Sequence, residues 1–186
     1  MKIAIDIDNT ICDTTNFFKE LSIKYDREIL HKNNDIDFSK VVPRSTNWTK
    51  EELDYYIKNI FNKEAINIPL KKDVSCFINE LKNKGYYIIF ITNRGIKDDD
   101  YTDMIVGEFL TKNDIPYDEI ITKAKNKYQY VANVDYFIDD SIEECEMMLS
   151  YSNCKTILME SPQNINYTNA KLYKVKNWKE VFEYIS

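Results

Sequence analysis

A single histidine, His31, is all that this chain of 186 residues contains. One imidazole cannot build a histidine-based metal site or a Ser-His-Asp triad, and His31 sits in a polar stretch that reads as solvated loop. Cysteine is also scarce. Cys12, Cys76, Cys145 and Cys154 fit no paired C-x-x-C spacing, and a chain of this length and apolar content needs no disulfide staples, so they read as reduced, mostly buried thiols. No apolar run approaches the roughly 20 residues that span a bilayer. The opening Met1 to Asp6 is too short for a signal-peptide core, so a cytoplasmic protein is expected. Repeats and low-complexity tracts are missing too. The net charge of -6 disfavours a nucleic acid polymer or an anionic membrane as partner. A small anionic substrate stays compatible, because a local cation cluster or a metal can override the global field.

What is present is an alternation. Hydrophobic residues make up 44% of the chain, and they fall into short runs separated by amphipathic segments. Ile3 to Ile7, Tyr86 to Ile91, Glu119 to Thr122, Tyr136 to Ile138 and Thr156 to Met159 are short and mostly rich in β-branched and aromatic residues. Strands buried on both faces look like this. Val74, Phe77, Ile78 and Leu81 mark a helix over Asp73 to Lys84, stopped by Gly85. Met104, Ile105, Phe109 and Leu110 mark another helix, and Ile142, Cys145, Met148 and Leu149 a third. Asn177 caps a last helix through Tyr184. The alternation predicts an α/β fold: a doubly wound parallel, five-stranded, Rossmann-like sheet with right-handed crossovers.

The segment after the first strand is too long for a simple crossover. Residues 13–72 are expected to form a small helical cap, and residues 1–12 with 73–186 the α/β core. Phe17, Phe18, Leu21 and Tyr25 suggest one cap helix. Thr49-x-x-Glu52 is a capping box opening a second, with Leu53, Tyr56, Ile57, Ile60 and Phe61 on one face. A polar loop from Lys32 to Asn47 joins them.

Candidate chemistry gathers at the strand ends. Asp6 and Asp8 follow the first strand, where parallel sheets bind ligands, and strand alternation puts them on one side. Two carboxylates this close repel unless a cation lies between them, and an all-oxygen site suits Mg²⁺. Taken alone, the pair could equally begin a polar turn. Thr92, Asn93, Arg94 and Gly95 end the next strand, where a hydroxyl and backbone amides can hold a phosphate oxygen; Asn93 and Gly95 also suit an ordinary turn. Asp139 and Asp140 end a later strand, and Asp140 or Ser141 could cap the helix that follows. Lys123, Lys125 and Lys127 lie between, each also readable as a solvated surface cation.

That order of an Asp pair, Thr, Lys and a second acidic pair, each at a strand end, resembles the four motifs of the haloacid dehalogenase (HAD) superfamily of phosphatases, over nearly the whole chain. Within it, the chain looks most like the 5'(3')-deoxyribonucleotidase-like branch and its bacterial nucleotidases. The cap directly after the first motif, the Ile138-Asp139-Asp140 pair, the Met159 to Asn164 loop and the Val175 to Trp178 segment support this. The resemblance implies that Asp6 is nucleophile and metal ligand. It makes Asp8 the general acid/base, with its backbone carbonyl on the metal. Thr92 would hold the phosphoryl group, with Asn93, Arg94 and Lys127 as substrate-binding candidates. Asp139 and Asp140 would complete a Mg²⁺ site. For the charge-neutralising lysine, the spacing to the helix after it favours Lys125, with Lys127 as runner-up. Asn9 stands where glycine is frequent.

The implied reaction is hydrolysis of a phosphomonoester through an aspartyl-phosphate, with a nucleoside monophosphate as the expected substrate. Sugar phosphates and 3'-phosphate ends are the alternatives, and a phospho-receiver signalling domain the non-enzyme alternative. To act as an acid near neutral pH, Asp8 needs a pKa raised by burial or by Asp6. Trp48, Tyr55, Tyr56 and Phe17 are the cap aromatics that could stack on a base. A homodimer through the cap or a sheet edge is compatible with the sequence.

Overall fold

The structure, a computed structural model, describes residues 1–94 and 100–186; Gly95 lies outside them. Along the chain run β1 (Lys2–Ile5), α1 (Thr14–Lys24), α2 (Lys50–Tyr56), α3 (Asn62–Glu64), α4 (Val74–Asn83) and β2 (Tyr87–Ile91). Then come α5 (Asp100–Lys112), β3 (Glu119–Ile121), α6 (Tyr128–Val131), β4 (Tyr136–Asp139), α7 (Ile142–Tyr151), β5 (Lys155–Met159), β6 (Tyr173–Val175) and α8 (Trp178–Ile185). All strands run parallel in the order β3-β2-β1-β4-β5-β6.

The sheet therefore has six strands, one more than expected. The addition, β6, is a three-residue edge strand with only Val175 buried, so it carries no apolar run to read. Helix signals were more local and landed well. Ser141, not Asp140, caps α7 through its hydroxyl, and the Asn177 side chain caps α8. Thr49 and Glu52 form the reciprocal capping box of α2. Gly85, at φ +82°, leads out of the last turn of α4 in the left-handed region that glycine adopts without strain.

Two layers of helices cover the sheet, as its doubly apolar strands require. One core cluster runs from Ile3, Ile5, Ile88 and Phe90 to Val181 and Trp178, and also takes in Phe18, Tyr25, Trp48 and Tyr56 from the 13–72 segment. The second collects Ala4, Ile89, Phe137, Leu158, Cys145 and Met148 on the opposite face. Phe18, Tyr25, Trp48 and Tyr56 of the 13–72 segment are thus packed into the same core as one face of the sheet.

Strand order reverses at β1, since β2 lies on one side of it and β4 on the other. Such a switch point opens a crevice beyond the strand ends. Pairing of Ile5 with Ile138 sets Asp6 beside Asp139 there, and the Asp6 N–H donates to the Ile138 carbonyl at 2.9 Å.

Candidate active site

A pocket of about 550 Å³ opens at that crevice. Asp6, Asp8, Thr92, Asn93, Arg94, Lys127, Asp139 and Asp140 all line it. Across from them stand Val41, Val42, Arg44 and Phe61 from the segment between β1 and β2.

The floor is a buried charge cluster. Carboxylate oxygens of Asp6, Asp139 and Asp140 lie within 4.8 Å of one another, and the three residues are 4%, 0% and 6% exposed. Lys127, 4% exposed, donates to Asp6 Oδ1 at 2.5 Å and to Asp139 Oδ2 at 2.6 Å. The backbone N–H of Ser141 donates to the other Asp139 oxygen at 2.8 Å. Burial pushes the Asp6 carboxyl well above its usual range against the pull of Lys127. Burial and the Asp139 charge raise Asp140 to about 7.

A second pair stands at the wall. Arg94 donates from Nε to Asp8 Oδ2 at 2.7 Å and from Nη2 to Asp8 Oδ1 at 2.5 Å. The Thr14 hydroxyl adds a bond to Oδ1 at 2.6 Å. Burial pushes Asp8 up, but the Arg94 charge and hydrogen bonds, with Thr14, hold its carboxyl below the usual carboxylate range. The raised Asp8 that acid action requires, from burial or from Asp6, is thus not met here: burial does push upward, but a guanidinium that grips both oxygens outweighs it.

Lys125 does not reach the cluster; its side chain is exposed. After β3 the chain turns through left-handed residues at Lys123 (φ +57°) and Asn126 (φ +58°). Ala124 is tucked inward, its N–H on the Thr92 carbonyl, so Lys125 points out and Lys127, just before α6, points in. Lys123 pairs instead with Asp103 at 3.8 Å. Asn126, a residue type that tolerates the left-handed region, was the sequence signal for this turn.

Thr92 is 1% exposed, and its Oγ1 accepts the Arg94 N–H at 3.2 Å. Asn93 is exposed at the mouth. Arg94 lines the pocket as expected, but two of its nitrogens are committed to Asp8. Its Nη1 is buried without a hydrogen-bond partner among the described residues. The aromatic candidates Trp48, Tyr55, Tyr56 and Phe17 do not line the pocket, whose aromatic lining residue is Phe61. Trp48 and Tyr56 are consumed by the core. Sequence reasoning also missed Thr14, Phe61 and Arg44, which carry no motif.

The donor set fits Mg²⁺. Three oxygen ligands converge, two of them raised towards protonation first by burial and then by their neighbouring carboxylates, and among the described residues four carboxylates (Asp6, Asp8, Asp139 and Asp140) face two contacting cations, Lys127 and Arg94. A hard dication would relieve that imbalance. Among the described residues no helix is long and apolar enough to cross a membrane.

No family model matches the chain. It is 28% identical to Putative nucleotidase YqfW of Bacillus subtilis over 193 residues, covering all of this chain and 94% of that protein. A solved putative phosphatase from Clostridium difficile superimposes with a TM-score of 0.70 at 14% identity, covering 100% of this chain and 98% of that one. A HAD-superfamily hydrolase from Ehrlichia chaffeensis gives 0.57 at 15% identity, over 99% and 95% of the two chains. Sheet order, the convergence of three strand ends and Lys127 on one pocket and these likenesses agree: the chain has the fold of the HAD-superfamily hydrolases.

Proposed function

We propose that the chain is a Mg²⁺-dependent phosphomonoester hydrolase working through an aspartyl-phosphate on Asp6. The observation that carries this reading is the Asp6-Asp139-Asp140 cluster around Lys127, with the Asp8-Arg94 pair beside it in one pocket.

In the first step an Asp6 carboxylate oxygen attacks phosphorus, the ester P–O bond breaks, and Asp8 gives the leaving oxygen its proton. In the second, water attacks the phosphorus of the acyl phosphate while Asp8 takes a water proton, and Asp6 and inorganic phosphate are released. Lys127 and the Thr92 segment neutralise and orient the phosphoryl oxygens, which is most of what phosphoryl transfer needs. Asp6, Asp139 and Asp140, with the Asp8 backbone carbonyl, would hold Mg²⁺, which supplies charge neutralisation at the phosphoryl group. With Arg94 in place Asp8 is a base. Serving first as an acid requires that grip to loosen, and a bound phosphate offers Arg94 a competing anion.

For the substrate, a nucleoside monophosphate is the reading supported by similarity to a protein named a nucleotidase and by a pocket sized for a small molecule. Glu143 and Glu144 at the rim disfavour a polynucleotide 3'-end, leaving sugar phosphates as the competing class. A phospho-receiver domain would have no use for a 550 Å³ pocket walled by Val41, Val42 and Phe61.

The test is a phosphate-release screen over nucleotides, sugar phosphates and 3'-phosphorylated oligonucleotides, with Asp6→Asn and EDTA as controls. Hydrolysis of nucleotides that both controls abolish is expected. Sugar phosphates cleaved with nucleotides inert would defeat the nucleotidase assignment, and turnover surviving both controls would defeat the mechanism.

A further inference from the structure

Asn9 occupies a left-handed backbone position, φ +56°, that glycine fills without strain. Its side chain is 1% exposed and fully engaged. Its Nδ2 donates to Thr15 Oγ1 at 3.0 Å, to Asp140 Oδ2 at 3.2 Å and to Gln163 Oε1 at 3.2 Å, while its Oδ1 accepts the Thr15 N–H at 3.0 Å. From there the contacts leave the carboxylate cluster. Gln163 Nε2 donates to Thr15 Oγ1 at 3.1 Å and to the carbonyls of Phe38 at 3.2 Å and Lys40 at 3.3 Å. Thr15 Oγ1 in turn donates to the Val41 carbonyl at 3.0 Å.

Donors and acceptors are consistent along the network. Thr15 spends its one hydrogen on Val41 and accepts from both amides. The Gln163 amide hydrogens are shared among three acceptors, all pointing towards the 38–41 turn and its support. That turn is pinched at its base by Asp37 and Arg44, which exchange backbone hydrogen bonds of 2.9 and 3.4 Å. The loop carrying Gln163 is itself tied down, because the Asn164 side chain donates to the carbonyls of Asp140 and Met159, each at 2.8 Å. A segment 154 residues from Asn9 in sequence thus braces the turn whose residues Val41, Val42 and Arg44 line the pocket.

We infer that Gln163, acting with Thr15 and Asn9, is a positioning residue for substrate selectivity: it braces the 38–44 turn as the wall against which the organic group of the phosphomonoester rests. The inference rests on the phosphatase reading for its catalytic consequence, though not for its structural one. Gln163 and Thr15 make no contact with the carboxylate cluster, which the network reaches through Asn9, so loss of either side chain changes how the organic group is held more than it changes the phosphoryl chemistry.

The test compares Gln163→Met, which keeps length while removing every polar contact, with Thr15→Val and Thr15→Ser. Each variant is assayed in Mg²⁺ with p-nitrophenyl phosphate, which has a ring to lay on the wall, and with acetyl phosphate, which has almost nothing. In Gln163→Met and Thr15→Val, kcat/KM for the aryl ester should fall at least fivefold more than for acetyl phosphate, through KM. Thr15→Ser, which keeps the hydroxyl, should restore the wild-type ratio. The ratio is insensitive to the fraction of folded enzyme, so equal losses on both substrates would overturn the proposal. Hydrogen exchange provides the second measurement. Peptides spanning 36–44 should exchange at least tenfold faster in Gln163→Met, with the central strands unchanged, and unaltered exchange there also overturns it. Should wild type turn over neither of these compounds nor any phosphomonoester of the phosphate-release screen, the phosphatase reading fails while the exchange result still decides the brace.

Discussion

Arg94 and Asp8 are joined by two hydrogen bonds of 2.7 and 2.5 Å, and each side chain is mostly buried, at 6% and 15% exposure. Breaking such a pair from one side leaves an uncompensated charge, typically at a cost of about 3 to 5 kcal/mol. Arg94→Met should therefore lose stability on that scale in urea denaturation. Asp8→Asn in the same chain should recover most of it, because the stranded carboxylate is gone. Strictly additive losses would show that the two residues are not coupled.

Lys127 sits between the carboxylates of Asp6 and Asp139, whereas Lys125 faces solvent. Removing one preorganised charge-stabilising group typically costs about 10²- to 10³-fold in turnover, and that is the loss expected for Lys127→Met. Lys125→Met should leave turnover unchanged and stability within about 0.5 kcal/mol, as exposed substitutions usually do. Phosphate-release rates for the two variants measured side by side check this, and the opposite ranking would move the role to Lys125.

That pair of lysines also marks where sequence ceased to determine structure. Asp6, Thr92 and Asp139 could be placed because each follows a short apolar run, and a parallel sheet brings strand ends together whatever lies between. Lys127 could not be separated from Lys125, because the choice depends on two left-handed residues in a turn, Lys123 and Asn126. The sixth strand was hidden because an edge strand with a single buried residue has no periodicity to detect. The Arg94 grip on Asp8 and the Gln163 brace join residues 86 and 154 positions apart in sequence, and no local pattern encodes such contacts. The pocket wall from Val41 to Arg44 lies in a stretch that reads simply as polar loop, since its role comes from what holds it.

Three carboxylates crowded without a dication repel one another, so Mg²⁺ should stabilise the folded chain. A ligand at about 100 times its Kd adds about 2.7 kcal/mol. The thermal midpoint of wild type should rise with Mg²⁺, and the rise should vanish in Asp139→Asn. Asp8→Asn should keep it, because the Asp8 side chain points to Arg94 and the expected ligand there is a backbone carbonyl. Calorimetric titration of Mg²⁺ into the three proteins gives an independent reading, and binding undiminished in Asp139→Asn would remove Asp139 from the site.

Asp26 supplies a pH dependence remote from the carboxylate cluster. It is 1% exposed, and it accepts from Trp48 Nε1 at 2.7 Å and from both the backbone and side-chain nitrogens of Asn34 at 2.8 Å. Burial pushes its pKa up, but the Trp48 and Asn34 hydrogen bonds and the Lys32 charge outweigh that, leaving it below the usual value. A carboxyl with a depressed folded-state pKa contributes stability that is fully present above its unfolded value, about 3.9. That contribution is lost as pH falls through the folded value. Asp26→Asn turns an amide NH₂ towards groups that are all donors, which should cost about 1 to 3 kcal/mol at pH 7. Asn does not titrate, so the gap between wild type and variant should narrow as pH drops from about 4 towards 2. Other depressed carboxyls, Asp8 and Asp118 among them, are common to both proteins and cancel in the difference. Denaturation curves at pH 7 and pH 3 measure the gap, and a gap that stays constant would mean that Asp26 enters the fold without its charge.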